Sequence, residues 1–134
     1  MPLELSYLVA AVFLYFGMII VQATLANLEN NPAKLAGARD GITDKGVMLC
    51  RARRANANMV EAMTMFVPLV LVAYLTDNLN DMTQLGCGLF LAARIIYAPL
   101  YWFGIPWLRT LVWFAGLVGT AMVAFQILPF TGAN

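Results

Sequence analysis

The segment Val47–Leu75, VMLCRARRANANMVEAMTMFVPLVLVAYL, is the stretch whose reading decides the fold. A bilayer core of about 30 Å accommodates roughly 20 mostly apolar residues as a helix. This helix is too long for the hydrocarbon alone, so its first turns, Arg51 to Arg54, are expected to project into or beyond the interface. Further on, Asn58 and Glu61 are polar where a membrane segment should be apolar.

Outward from this helix the same length rule finds three more spans. Leu5 to Leu25 is the first, with Gln22 as its main polar intrusion. Met82 to Phe103 and Trp107 to Leu128 are the third and fourth. The connection Ala26 to Gly46 carries turn signals at Asn30-Asn31-Pro32, Gly37, Asp40-Gly41 and Gly46. Thr76 to Asp81 is a short polar turn, Gly104-Ile105-Pro106 a tight break, and Pro129 with Gly132 closes the chain. Pro68 and Pro99 are expected to kink the second and third helices. The fold class is all-α, an integral membrane four-helix bundle, with residues 1–134 as one domain.

Composition agrees. Hydrophobic residues make up 62%, charged residues 11%, and mean hydropathy is +0.77; soluble domains carry about 25% charged residues. A net charge of +1 provides no basic field, so nucleic acid is not an expected partner. Cys50 and Cys87 lie on different segments and histidine is absent, which argues against zinc, haem or a redox pair, so no metal is expected. The first apolar run lacks the basic flank of a signal peptide and is too long for one, so it reads as a retained span.

Basic residues set the expected orientation. Lys34, Arg39, Lys45, Arg51, Arg53 and Arg54 flank the first connection, and Arg109 follows the third. The second connection has Asp77 and Asp81 but no Lys or Arg, and the N-terminus offers only Glu4. The positive-inside rule places the first and third connections in the cytoplasm and both termini outside.

Arg51, Arg54, Asn58 and Glu61 are spaced i, i+3, i+7, i+10 and share one helical face, with Arg53 and Asn56 on either side. Arg94, Tyr97 and Tyr101 share a face of the third helix, and Arg109 and Thr110 open the fourth, with Trp113 one turn on. Given the topology, all three stripes fall at similar depth. A charge near the bilayer centre costs at least ~2.5–3.5 kcal/mol, so such groups face the bundle and pair. Glu61 with Arg94 is the simplest pair, and Asn58 is placed to bridge backbone or the same arginine. The competing readings are interfacial: Arg51, Arg53 and Arg109 as anchors on phosphates, and Tyr97, Tyr101, Trp102, Trp107 and Trp113 as an aromatic belt.

The run Arg54-Ala55-Asn56-Ala57-Asn58-Met59-Val60-Glu61, followed by Phe66-Val67-Pro68, resembles the second helix of the membrane-associated proteins in eicosanoid and glutathione metabolism, the MAPEG family. Arg94-Ile95-Ile96-Tyr97-Ala98-Pro99-Leu100-Tyr101 is similar to that family's third-helix segment, and Arg109 matches its second arginine. Gly37-Ala38-Arg39-Asp40 is similar to bacterial members. The resemblance covers nearly the whole chain. It implies a homotrimer among membrane lipids with sites between subunits, open to the cytoplasm and the membrane; a bacterial inner membrane is the expected location, with a eukaryotic endomembrane as the alternative. It also implies that Arg54, Asn58, Glu61, Arg94, Tyr97 and Tyr101 hold glutathione as co-substrate, and that Arg109 stabilises its thiolate. Glutathione carries two carboxylates and one ammonium, which suits arginine forks and one carboxylate. Its thiolate would attack a small lipophilic electrophile arriving from the bilayer. The chain departs from the family pattern at Trp113, where some members place tyrosine, and at Asn56, in place of Gln or His. Some members are transferases, isomerases or peroxidases, and one branch binds lipid without catalysis. The expected function is a glutathione-dependent transferase or peroxidase; a non-enzymatic lipid-binding or scaffold protein is the alternative. A small transporter is weaker, since no inverted repeat is evident.

Overall fold

The structure is a computed structural model that describes residues 1–29 and 46–128. It contains helices α1 (Leu3–Glu29), α2 (Val47–Leu75), α3 (Asp81–Trp102) and α4 (Pro106–Ile127), in that order. The expected turn signals between Asn30 and Gly41, the basic residues Lys34, Arg39 and Lys45, the Gly37–Asp40 motif, Pro129 and Gly132 lie outside the described residues. All four helices are long and apolar enough to cross a membrane. At 1.5 Å per residue, the 22 residues of α3 and of α4 each rise about 33 Å, a close match to a hydrocarbon core.

One boundary differs from expectation. Ala26 to Glu29 continue α1 rather than opening the connection. Ala26 is buried and packs with Leu25 against Leu49 of α2, so tertiary contact extends the helix past its purely apolar stretch. Pro68 and Pro99 lie inside uninterrupted helices.

Local chemistry explains the ends of α3. At its start, Asn80 Oδ1 accepts from the Thr83 amide at 3.0 Å and Thr83 Oγ1 accepts from the Asn80 amide at 2.8 Å, a reciprocal capping box. At its end Gly104 adopts φ 71°, its amide donates to the Tyr101 carbonyl at 3.1 Å, and the Ile105 amide donates to the Leu100 carbonyl at 3.0 Å. This is a Schellman turn, in which a left-handed residue without a side chain closes the last carbonyls. Pro106 then starts α4 at a position that needs no amide donor.

The most extensive helix pair is α3 with α4. They approach most closely where Gly86 faces Gly119: a Cβ on Gly119 would stand 2.6 Å from the Gly86 carbonyl oxygen and 2.8 Å from the Phe90 nitrogen. In the core Phe66 and Phe90 stack with centroids 3.8 Å apart, among Met18, Met59, Val70, Cys87 and Val123. Two polar ties hold α1. Asn56 of α2 donates to Gln22 Oε1 and, at 3.4 Å, to the Met18 carbonyl. At the opposite end buried Glu4 accepts from Thr83 Oγ1 at 2.7 Å. Large apolar side chains such as Phe13, Phe16, Leu75, Leu111 and Phe125 point outward, as a bilayer solvent requires.

Candidate functional site

At the end of the bundle holding the α3–α4 turn, the polar stripes converge on a cleft of about 610 Å³. Arg54, Asn58 and Glu61 enter it from α2, Tyr97 and Tyr101 from α3, and Arg109, Thr110, Trp113 and Phe114 from α4. A smaller cavity of about 70 Å³ adjoins it, sharing Asn58, Glu61 and Trp113 and adding Arg94. Past that lies a groove of about 460 Å³ between α2 and α4, which shares Met65, Leu117 and Thr120 with the small cavity. The hydroxyls of Thr64 and Thr120 donate to carbonyls of their own helices, Val60 at 2.7 Å and Gly116 at 3.1 Å, so the groove presents a largely hydrocarbon wall. A polar cleft, a small cavity lined by Arg94 and an apolar groove thus lie in succession, each sharing lining residues with the next.

Arg94 is only 3% exposed. Its Nη1 donates to Asn58 Oδ1 at 3.0 Å and its guanidinium carbon stands 4.4 Å from the Tyr97 ring centre. A hydrogen bond to a charged group returns ~1.5–3 kcal/mol and a desolvated cation–π contact about 2 kcal/mol. Together these offset a desolvation cost of the ~2.5–3.5 kcal/mol scale. Nε and Nη2 are buried and have no hydrogen-bond partner among the described residues. They form one edge of the guanidinium with two parallel donors, the edge that a carboxylate engages in a bidentate pair.

Arg109 forms a second cation–π contact, 4.7 Å from the centre of the Tyr101 ring. Tyr97 and Tyr101 have centroids 5.5 Å apart at 55°. Arg94, Tyr97, Tyr101 and Arg109 therefore make a continuous ladder along one wall. Arg109 stands in the first turn of α4, its amide bonded to the Ile105 carbonyl at 3.3 Å. There the helix dipole adds positive potential of its own.

All of the residues expected at the site meet here, with different partners from those read in the sequence. Arg94 bonds to Asn58 and not to Glu61, which is exposed on the cleft wall. The two residues are one turn apart on α2, and the depth at which α3 crosses α2 selects the shallower one. Arg51 leaves the stripe altogether: it does not line the cleft and reaches the end of α3. The belt reading fits Trp107, which is 84% exposed, but not Tyr97, which is buried inside the bundle. The ladder was missed, although Arg94 and Tyr97 at i, i+3 were a local signal for it. Nothing local marked Gln22 as the partner of Asn56, or Thr83 as the partner of Glu4.

Fold and site define a class: a four-helix membrane protein with a cation-rich cleft at one end and an apolar groove beyond it. The chain matches the model of the MAPEG family over residues 5–129 and belongs to that family. No curated protein and no solved structure matches it.

Proposed function

We propose that this protein is a glutathione-dependent membrane transferase or peroxidase acting on lipophilic electrophiles. The observation that carries this reading is the free Nε–Nη2 edge of buried Arg94, set where the polar cleft meets the apolar groove. A buried guanidinium edge with two unspent donors is suited to an anion, and glutathione supplies two carboxylates. Arg54, Asn58, Glu61, Arg94, Tyr97 and Tyr101 hold the tripeptide, Glu61 serving its ammonium group. Arg109 favours the thiolate over the thiol, and the Tyr97 or Tyr101 hydroxyl donates to the same sulfur. The sulfur electron pair forms a bond to the electrophilic carbon as that carbon's bond to its leaving group breaks. The leaving group takes the pair and is protonated by water.

In this reading the site opens to the cytoplasm, both termini lie on the other side of a bacterial inner membrane, and three copies assemble. Arg54 and Glu61 are exposed in the single chain, whereas Arg94 is enclosed by it, so a neighbour would cover the former. A second reading, lipid binding without catalysis, is favoured by one feature, the groove of about 460 Å³.

Titration calorimetry with glutathione on the purified protein, repeated with Arg94→Ala, tests the site. Binding by wild type and its loss in the variant are expected. Arg109→Ala should abolish the ultraviolet absorbance of bound thiolate and conjugation of a model electrophile, with only a modest fall in affinity. Wild-type protein that turns over no electrophile or peroxide would favour the lipid-binding reading.

A further inference from the structure

The cleft has walls from three helices, and thiolate activation depends on where α4 begins relative to α2. One residue outside the cleft ties α2 to the turn that leads into α4. Arg51, on α2 one turn before Arg54, sends its Nη1 to the Trp102 carbonyl at 3.4 Å, at the last residue of α3. The guanidinium also packs against Gly104. A Cβ there would stand 2.6 Å from its central carbon and 2.7 and 2.9 Å from its Nη2 and Nη1. A cation at a helix C-terminus meets the negative end of the dipole, and a planar group fills the space that a glycine leaves. The turn it touches carries Tyr101 three residues before Gly104 and Arg109 five residues after, the pair in cation–π contact.

We propose that Arg51 is a positioning residue: by clamping the α3–α4 turn to α2 it sets Arg109 and Tyr101 against Arg54, Asn58 and Glu61. This rests on the proposed glutathione chemistry for its effect on rate, but not for its effect on the turn. Misplacement of a reacting geometry by an ångström can cost a hundredfold in rate.

The test uses Arg51→Gln, Arg51→Lys as a milder change that keeps the charge but not the planar contact, and Gly104→Ala, strained at φ 71° whatever its neighbours, as a positive control for a disturbed turn. Amide hydrogen exchange in residues 103–110 should quicken in all three, least in Arg51→Lys. Turnover should fall roughly tenfold to a hundredfold in Arg51→Gln, with the pH midpoint of bound-thiolate absorbance moved upward and glutathione affinity retained. Unchanged exchange in residues 103–110 overturns the clamp whether or not glutathione binds. A parallel loss of affinity and turnover also overturns it, making Arg51 a direct ligand. Wild-type protein without a thiolate signal removes the glutathione reading instead, and exchange still decides the clamp.

Discussion

Arg94 of α3 and Asn58 of α2 are joined by one hydrogen bond, Nη1 to Oδ1 at 3.0 Å, at the junction between the polar cleft and the apolar groove. The amide oxygen neutralises no charge. It holds the guanidinium in place while leaving the Nε–Nη2 edge unspent, whereas a carboxylate in the same place would compete for that edge.

This arrangement predicts where the energetic coupling lies. Asn58→Leu with Arg94→Met, taken singly and together, should show a coupling of about 1.5–3 kcal/mol in unfolding free energy, the scale of a hydrogen bond to a charged group. The same cycle with Glu61→Gln should show coupling near zero. Strong coupling through Glu61 would return the pair to the ion-pair reading.

Tyr101 offers a ring face to Arg109 and lines the cleft, and two substitutions separate the roles of its ring and its hydroxyl. Tyr101→Phe keeps the ring, so bound-thiolate absorbance should persist with reduced intensity. Tyr101→Leu removes the ring and should reduce the signal as far as Arg109→Ala does. Equal behaviour of the two variants would show that the hydroxyl alone matters.

Gly119 and Gly116 lie on the same helix but face different constraints. A methyl on Gly119 meets the backbone of Gly86 and Phe90 below 3.0 Å, whereas one on Gly116 meets the Ala93 Cβ at 3.5 Å, an ordinary contact. Gly119→Ala should destabilise by about 1–3 kcal/mol through overpacking, and Gly116→Ala should be nearly neutral. Thermal unfolding in detergent measures both.

At the far end, Thr83 Oγ1 serves both the Asn80 amide and the buried carboxylate of Glu4. Thr83→Val removes both bonds at once and should cost roughly 2–4 kcal/mol, one cap and one unsatisfied buried acceptor. Thr83→Ser keeps the hydroxyl and should unfold close to wild type. Glutathione affinity should not change in either, because the cleft is at the other end of the bundle.

What the sequence determined by itself is whatever depends on distance along one helix. The spans came within a few residues of α1 to α4, and Arg54, Asn58 and Glu61 shared a face because an α-helix repeats every 3.6 residues wherever it packs. The MAPEG motifs were legible for the same reason, being runs within α2, α3 and the start of α4. Tertiary structure decided the partners. Whether Arg94 meets Asn58 or Glu61 depends on a difference in depth of three residues along α2, about 4.5 Å, set by how α3 packs against α2. The direction of Arg51 depended on a turn 51 residues away, and the burial of Glu4 on Thr83, 79 residues away. Helical periodicity is a local property of the backbone; rotation and sliding of one helix against another are set by side-chain packing along the whole contact.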